Sequence, residues 1–352
     1  MAHPALPFQP FRQALYSPIE LLAGIDPLHP ESLTRTRDFA IFRYWVKQGR
    51  YKPQYFDGMM QALHDNSISQ CVGRLVAGRK VVGIMGGHAD ERGTNDWNAV
   101  AMLARRLTKA GYFVASGGGP GMMEAAHVGA FHARVSDGEF HGSLKRLAAE
   151  DVAKFPDDAG RLLDREGNVD ANVRLKLFNW LAPVLTIRKD ISSAGESLGI
   201  PTWRYGHEPT SVFATHIAKY FENSVREDGL LSIARDGVVY ARGGAGTLQE
   251  IFQDAVFNAY FDDDLPPSPM IFFGRDHWEK MAVLPVLKAL FEGNFERFVS
   301  ITDDADAVIA TLDAFAATIR DRARAPRAGL ALSNPILGID RLEPEGGDEW
   351  VI

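Results

Sequence analysis

The sequence predicts an α/β protein with a Rossmann-like, doubly wound parallel sheet and a helical N-terminal extension. Three observations predict this fold class. Short apolar runs such as KVVGIM end in glycines, as buried parallel strands do where they deliver the chain to a ligand loop. Segments with helical apolar spacing alternate with these runs, which is typical of a parallel sheet covered on both faces. Two glycine clusters, SGGGPG from Ser116 and RGGAGT from Arg242, each follow an apolar run and precede a helical segment.

Composition sets the limits of the interpretation. The chain has 352 residues, of which 46% are hydrophobic, and this suffices for a sizeable core. A formal net charge of −7 argues against a nucleic-acid polymer or an anionic membrane surface as the main partner. The single cysteine, Cys71, excludes an intramolecular disulfide and a cysteine-based zinc cluster. Because the first residues lack the apolar core of a signal peptide and no apolar run approaches about 18 residues, we expect a cytoplasmic protein that does not enter a membrane.

The order of segments predicts three parts. Residues 1–78 form an extension with aromatic-rich helical pieces such as LTRTRDFAIFRYWVKQG, and no strand there leads into a glycine loop. Residues 79–325 form the α/β domain, which a polar insertion interrupts at about 135–190. Residues 326–352, with prolines and glycines at intervals, are expected to form an irregular C-terminal arm.

Strands and helices alternate within the α/β domain. The predicted strands, in order, are KVVGIM, YFVAS, GIPTW, GVVYA, PMIFFG and RFVSIT. Thr94 is the expected N-cap of the first helix of this domain, whose apolar stripe comprises Trp97, Val100, Ala101, Ala104 and Leu107. Further helices are predicted from Met122, from about Ser211 to Arg226, from Leu248 and from Ala305. Ligands of such a sheet bind at the carboxyl ends of its strands.

Both glycine clusters are candidate phosphate-binding loops. A strand that ends in glycines and turns into a helix exposes backbone N–H groups at the positive end of the helix dipole, where no Cβ keeps an anion away. Glycines after a strand often serve only a tight turn, but two clusters that each adjoin a helix favour binding. The residues that would bind phosphate or substrate are Gly117, Gly118, Gly119 and Gly121 in the first cluster, and Gly243, Gly244, Gly246 and Thr247 in the second. Neither cluster has the Gly-Lys-Ser/Thr ending of a P-loop or the G-x-G-x-x-G spacing of dinucleotide folds, so ATP hydrolysis and hydride transfer are disfavoured.

Glu250 has two interpretations that the spacing leaves open. Thr247 and Glu250 together match a capping box, with Thr247 at the N-cap and Glu250 at the third helical position, and this motif needs no chemistry. A carboxylate one turn below a phosphate-binding loop would also face the sugar of a bound nucleotide.

The two glycine motifs together resemble the paired motifs of the LOG family, once misannotated as lysine decarboxylases. Its members are Rossmann-like and hydrolyse nucleoside 5′-monophosphates to a free base and ribose 5-phosphate. The second family motif, P-G-G-x-G-T-x-x-E, is matched at Gly243, Gly244, Gly246, Thr247 and Glu250. The resemblance implies catalytic roles for Glu250 and for Arg226, which lies seventeen residues before Gly243. Residues 80–275 carry the resemblance, and GIPTWRYGHEPTSVF is similar to the larger bacterial purine/pyrimidine nucleotide nucleosidases.

This chain departs from the family pattern at two loops. Arg242 replaces the family proline, and its guanidinium would either bind phosphate or face solvent. After the first strand of the domain, Gly86, Gly87 and His88 stand where short members carry a serine-bearing loop. Gly87 is a further candidate for binding phosphate or substrate, and His88 would contact base or phosphate or remain solvated. His207 and Glu208 are further candidates for the wall of the pocket.

The resemblance implies a nucleoside monophosphate as the ligand, no metal or cofactor, and a homodimer or higher homo-oligomer with the helix after the second glycine cluster near the interface. Three alternatives are a nucleotide or phosphorylated-cofactor carrier, as in related proteins that transport molybdenum cofactor, a pyridoxal-phosphate decarboxylase, and a structural subunit. Retention of both Arg226 and Glu250 argues against a carrier. The decarboxylase would need a Schiff-base lysine, which the glycine motifs lack.

Overall fold

The computed structural model describes residues 6–50, 52–204, 209–260 and 267–321. Its centre is a seven-stranded parallel sheet. The strands are β1 Val81–Met85, β2 Phe113–Ser116, β3 Ser197–Gly199, β4 His216–Ile217, β5 Gly237–Tyr240, β6 Met270–Phe273 and β7 Val299–Thr302. Their order across the sheet is β4-β3-β2-β1-β5-β6-β7, which confirms the predicted α/β, Rossmann-like class.

The strand order reverses next to β1. From β1 to β4 each new strand is added on one side of the sheet, and β5 to β7 are added on the other. Gly83 in β1 accordingly pairs with Ala115 of β2 on one side and Val238 of β5 on the other. Since the strands are parallel, the carboxyl ends of β2, β1 and β5 lie side by side at the position where sheets of this type bind ligands.

Helices cover both faces of the sheet. They are α1 Pro18–Leu21, α2 Arg37–Lys47, α3 Tyr55–Val76, α4 Asn95–Lys109, α5 Met122–Phe131, α6 Asp137–Leu147, α7 Glu150–Ala153, α8 Ala171–Asp190, α9 Asn223–Ile233, α10 Ala245–Ala259, α11 Arg275–Lys280, α12 Val283–Phe291, α13 Phe295–Phe298 and α14 Ala305–Asp321. Alternate strand residues enter different cores: Val81 packs in the core that contains α9 and α10, and Val82 in the core that contains α4 and α14. This alternation is the doubly wound arrangement.

The helix predicted after Thr94 is confirmed as α4. The Thr94 hydroxyl accepts a hydrogen bond from the amide of Trp97 at 3.4 Å, as an N-cap does. The whole predicted apolar stripe of this helix is buried. The six predicted strands correspond to β1, β2, β3, β5, β6 and β7, with β3 displaced toward the N-terminus of GIPTW.

The helix predicted from Ser211 to Arg226 is wrong. This segment instead contains the edge strand β4, and the helix α9 begins at Asn223. Ile217 pairs with Tyr16 of the extension in an isolated antiparallel bridge, so both flanks of this segment are covered and buried. A segment that is buried on both sides has apolar residues at many intervals along the chain. The intervals typical of a helix are among them, which explains why a helix was predicted here.

The extension holds the start of α9 in place. The carboxylate of Asp65 on α3 accepts hydrogen bonds from the amides of Phe221 (3.0 Å) and Glu222 (2.8 Å), immediately before the helix begins. Such bonds satisfy amides that have no partner within the helix.

The predicted insertion contributes α6, α7 and α8, whereas the C-terminal arm at 326–352 lies outside the described residues. Among the described helices, none is long and apolar enough to span a bilayer.

Candidate functional site

Three loops meet at the carboxyl edge of the sheet. Residues 86–88 follow β1, residues 117–121 follow β2 and form the first glycine loop, and residues 242–247 follow β5 and form the second glycine loop. The amide of Gly87 donates a hydrogen bond to the carbonyl oxygen of Arg242 at 2.9 Å, and the carbonyl oxygen of Gly87 accepts one from the amide of Met122 at 2.9 Å. The loop after β1 therefore joins both glycine loops into one surface.

The β1 loop contributes close packing at this surface. A Cβ on Gly87 would lie 3.2 Å from the Cα of Gly243, so the absent side chain lets the two backbones approach. The Gly87 amide, predicted to contact phosphate, is already bonded to Arg242. His88 is exposed, and its backbone packs on Gly121.

The first glycine loop is buried and tightly enclosed by protein atoms. Residues 117–121, including Gly119, are all buried. Gly118 has φ +75° and Gly121 has φ +70°, in the left-handed region where L side chains are strained. A Cβ on Gly121 would also lie 2.5 Å from the carbonyl oxygen of Gly87. Protein packing alone therefore requires glycine at these positions.

The second glycine loop is open. An added Cβ on Gly244 or Gly246 would lie within 4 Å of no heavy atom of the described residues, apart from its chain neighbours and the backbone of its own helix. Both residues are exposed. Helix α10 begins at Ala245, so the first amides of this 15-residue helix lack intrahelical partners and point toward the loop. Exposed amides and the positive end of the helix dipole make this loop suited to an anion.

The capping-box interpretation of Thr247 and Glu250 is wrong. The N-cap of α10 is Gly244, which leaves Thr247 as the third helical residue and Glu250 as the sixth. Thr247 is buried, and its hydroxyl lies 2.1 Å from where a Cβ of Gly243 would be, so it packs under the loop. The helix therefore starts three residues earlier than the motif predicts. Glu250 therefore has no capping role.

Arg226 and Glu250 lie together below the two glycine loops. The Nη1 atom of Arg226 is 3.8 Å from Oε1 of Glu250, and only 7% and 14% of the two side chains are exposed. The Nε atom of Arg226 donates to the carbonyl oxygen of Ile200 at 3.0 Å, just after β3. Its Nη2 lies 3.2 Å from where a Cβ of Gly117 would be. This guanidinium thus links the first loop to the helix of the second loop.

A second carboxylate, Glu227, reaches the same guanidinium. Its Oε1 lies 4.0 Å from Nη1 of Arg226, and it accepts hydrogen bonds from Asn223 (2.6 Å) and Gln249 (2.8 Å). Glu227 was not among the predicted site residues, although its place beside Arg226 in ENSVREDG was a usable signal. Glu227 and Glu250 are therefore both candidates for the carboxylate that faces the substrate.

Arg242 is half-exposed and faces two carboxylates. Its guanidinium lies 3.8 Å from Asp90 and 3.3 Å from Asp96. Burial raises the pKa of Asp90, and the nearby Arg242 opposes that rise. His277 Nε2 lies 3.4 Å from the amide nitrogen of Gly243 and 3.2 Å from its carbonyl oxygen, and burial lowers the pKa of this histidine. Asp90, Asp96 and His277 were not predicted as site residues, because only the fold brings them to the loop.

Carboxylates outnumber guanidinium groups around these loops. Among the described residues, the ion pairs described above join Glu227 and Glu250 to Arg226, and Asp90 and Asp96 to Arg242. Attraction for a phosphate therefore has to come mainly from the amides at the start of α10. Within the described ranges, no group of three or more His, Cys, Asp or Glu side chains is placed to hold a metal ion.

Helix α5, which follows the first loop, is fixed by a buried ion pair that the sequence did not reveal. Arg92 donates to both oxygens of Glu124, at 2.8 and 2.6 Å, and its guanidinium stacks 3.8 Å from the ring of Trp180 on α8. Arg92 also donates to the carbonyl oxygens of Val152 (3.1 Å) and Trp180 (3.0 Å), so the same guanidinium ties the insertion to the helix of the first loop. His207 and Glu208, which were predicted to line the pocket, lie outside the described residues.

No protein-family model and no curated protein matches this chain. Among solved structures, it is similar to the molybdenum cofactor binding protein from Rippkaea orientalis, with 13% identity, a TM-score of 0.38, and coverage of 68% of this chain and 98% of that one. Two structures of the molybdenum cofactor carrier protein from Chlamydomonas reinhardtii show 14% identity, TM-scores of 0.40 and 0.39, and coverage of 68% of this chain and 99% of theirs. At these values, the likeness carries no functional assignment over to this protein.

Proposed function

We propose that this protein hydrolyses the N-glycosidic bond of nucleoside 5′-monophosphates and releases a free base and ribose 5-phosphate. The observation that carries the proposal is the buried contact between Arg226 and Glu250, below an open helix N-terminus. The resemblance of the two glycine motifs to the LOG family adds to it.

The phosphate would bind at the second glycine loop. The exposed first amides of α10 supply hydrogen-bond donors, and the helix dipole supplies partial positive charge. The open space at Gly244 and Gly246 allows a ligand to approach this backbone closely. Arg242 would reach the phosphate only by leaving Asp90 and Asp96, so its contribution is smaller than its charge suggests.

Glu250 would stabilise the transition state. As the bond between the base and C1′ breaks, positive charge develops on the ribose ring, and a nearby carboxylate stabilises that charge more than it stabilises the ground state. A water molecule then adds to C1′, and its proton is passed on to the base. Arg226 would orient Glu250 and donate a hydrogen bond to the substrate, since its planar fork of donors suits carboxylate or phosphate.

The experiment is a product assay. The full chain is incubated with AMP, GMP, CMP and UMP, and free base and ribose 5-phosphate are separated by chromatography. We expect equal amounts of the two products from at least one substrate. Tight binding of a monophosphate without product would instead favour a carrier, and a visible absorption band of a bound cofactor would favour the decarboxylase alternative.

The homodimer remains a prediction. Helix α10 and the residue that follows it expose several apolar side chains, namely Phe252, Val256, Phe257 and Tyr260. An exposed apolar patch on the helix after the second glycine loop supports the expected contact between two copies. Light scattering of the purified chain tests it.

A further inference from the structure

A cavity of about 70 Å³ lies where the extension, helix α8 and the segment after β3 meet. The extension contributes the apolar side chains Leu33, Phe39 and Phe42, and α8 contributes Leu177 and Leu181. We name this space the extension cavity. Most of its apolar walls come from two parts of the chain, the extension and the insertion, that have no role in the proposed mechanism.

One wall of the extension cavity is polar. Trp203 Nε1 donates a hydrogen bond to Oδ1 of Asp38 at 2.8 Å, and the hydroxyl of Thr210 donates one to Oδ2 at 2.6 Å. The ammonium group of Lys219 lies 2.9 and 3.0 Å from the two oxygens of Asp38, and this lysine is 1% exposed. Replacing a buried ion pair by apolar residues is often neutral or stabilising, so stability is a weak reason for this one.

The extension cavity adjoins the first glycine loop. A smaller cavity of about 10 Å³ shares Leu181, Pro209 and Thr210 with it, and the other residues around the smaller cavity include Gly118 and Gly119. The extension cavity therefore lies next to the first glycine loop, on the side of β3.

We propose that the extension cavity receives the outer edge of the base, an inference that rests on the proposed function. Apolar and aromatic walls suit the faces of a planar heterocycle. Thr210, whose hydroxyl proton is directed to Asp38, has an oxygen that accepts a hydrogen bond from a ring N–H or amino group. The extension and the insertion are then the parts of the chain that select the base.

The volume selects the kind of base. A cavity of about 150 Å³ encloses a whole benzene ring, and the extension cavity is about half that size. A single ring fits with its outer edge inside and its glycosidic nitrogen outside, where hydrolysis requires it. The two fused rings of a purine extend further from the glycosidic nitrogen, and this longer portion does not fit without displacing the walls. The site therefore favours pyrimidine over purine nucleotides.

Calorimetric titration of the full chain with UMP, AMP and ribose 5-phosphate tests this inference. Leu33→Trp fills the cavity from a half-buried position and is expected to weaken UMP binding by about tenfold while leaving ribose 5-phosphate unchanged. Phe42→Ala enlarges the cavity and is expected to shift the affinity ratio toward AMP by a similar factor. Leu28→Trp is the matched control, because Leu28 lies on the same extension and is 84% exposed. This variant should leave the affinities for UMP, AMP and ribose 5-phosphate unchanged.

The outcomes separate this inference from the proposed function. If the wild type cleaves monophosphates but both cavity variants bind UMP and AMP as the wild type does, the extension cavity holds only water and the inference is overturned while the function stands. Equal weakening of ribose 5-phosphate and UMP by Leu33→Trp also overturns it, because the variant would then disturb the whole site. If the wild type neither binds nor cleaves any monophosphate, the proposed function fails and the base site fails with it.

Discussion

The two glycine loops have similar sequences but different surroundings. At the first loop, a Cβ on Gly117 would lie 2.6 Å from Sδ of Met123, and one on Gly121 would lie 2.5 Å from a backbone oxygen. At the second loop, Gly244 and Gly246 face open space. The first loop is buried throughout, whereas Gly244 and Gly246 are exposed.

The difference shows that one sequence pattern can have two physical causes. Packing against the protein explains the glycines of the first loop without any ligand. Packing does not explain Gly244 and Gly246, and their exposed backbone lies at the start of a long helix. The second loop is therefore the one suited to binding an anion, while the first loop shapes the site.

The largest effect is expected at the helix of the second loop. Glu250→Gln keeps the size of the side chain but removes the charge that would stabilise the ribosyl cation. We expect base release to fall by about 100- to 1,000-fold, which corresponds to roughly 3 to 4 kcal/mol of barrier. Chromatographic product assays measure the rate, and thermal unfolding should show a melting temperature close to that of the wild type.

Glu227→Gln is the comparison variant, because Glu227 lies at the same guanidinium as Glu250. It is expected to lower the rate less than Glu250→Gln does. A large loss of activity with Glu227→Gln and none with Glu250→Gln would transfer the catalytic role to Glu227 and contradict our assignment.

A large effect on folding is expected at the first loop. Gly121→Ala places a Cβ 2.5 Å from the carbonyl oxygen of Gly87 in a residue with φ +70°. Strain and overlap together should lower the free energy of unfolding by about 3 kcal/mol or more. Denaturant unfolding measures it. Gly138→Ala on α6 is the control, because its added Cβ would lie within 4 Å of no heavy atom of the described residues, apart from its chain neighbours and the backbone of its own helix. Wild-type stability of Gly121→Ala would contradict the packing argument.

The fold was largely predictable because it rests on local patterns. KVVGIM and GVVYA are apolar runs bounded by glycine or charge, and they form the adjacent strands β1 and β5. The stripe that begins at Trp97 has the period of a helix with one buried face. The prediction failed between Ser211 and Arg226, where contact with Tyr16 and Asp65 of the distant extension decides the structure. Sequence spacing holds no information about such a partner.

The candidate site was predictable only in part. The family resemblance assigned roles to Arg226 and Glu250, and the structure places these two side chains in contact. The spacing of Thr247 and Glu250 misplaced the start of α10, whose N-cap is Gly244. The partners of Arg242 were hidden as well, since Asp90 precedes it by about 150 residues in sequence. Charges that meet only at the edge of a sheet leave no signal in spacing.

A smaller effect concerns Asp254, a buried carboxyl on the helix of the second loop. It accepts a hydrogen bond from the hydroxyl of Tyr240 at 2.7 Å, and burial raises its pKa from 3.8 to about 7. The folded protein therefore holds a proton that the unfolded chain releases, so stability is highest at acid pH and falls as pH rises toward 7. Relative to Asp254→Asn, the wild type should lose about 2 kcal/mol between pH 5 and 7, as measured by unfolding at each pH.

The helix of the first loop carries the opposite dependence. His127, bonded to Ser197 at 3.0 Å, is buried, and burial lowers its pKa from 6.5 to about 3. Its contribution to stability is present above pH 6.5 and is lost as pH falls toward 3. His127→Asn should therefore remove a loss of stability that the wild type shows as pH falls. Asp254→Asn should remove a loss of stability that the wild type shows as pH rises. Identical pH profiles of the two variants would show that neither group titrates as its surroundings predict.

The smallest effect on stability is expected from Gly246→Ala, the counterpart of Gly121→Ala in the second loop. The residue is helical, and an added Cβ would lie within 4 Å of no heavy atom of the described residues, apart from its chain neighbours and the backbone of its own helix. Alanine should therefore stabilise the protein by about 0.5 to 1 kcal/mol through its higher helix propensity. The same methyl group would stand where a phosphate approaches the first amides of α10, and we expect the affinity for a nucleoside monophosphate to fall by about tenfold. Calorimetry and denaturant unfolding on one preparation measure both. Higher stability with unchanged affinity would mean that no ligand approaches this backbone, and the contrast between the two loops would then have no bearing on binding.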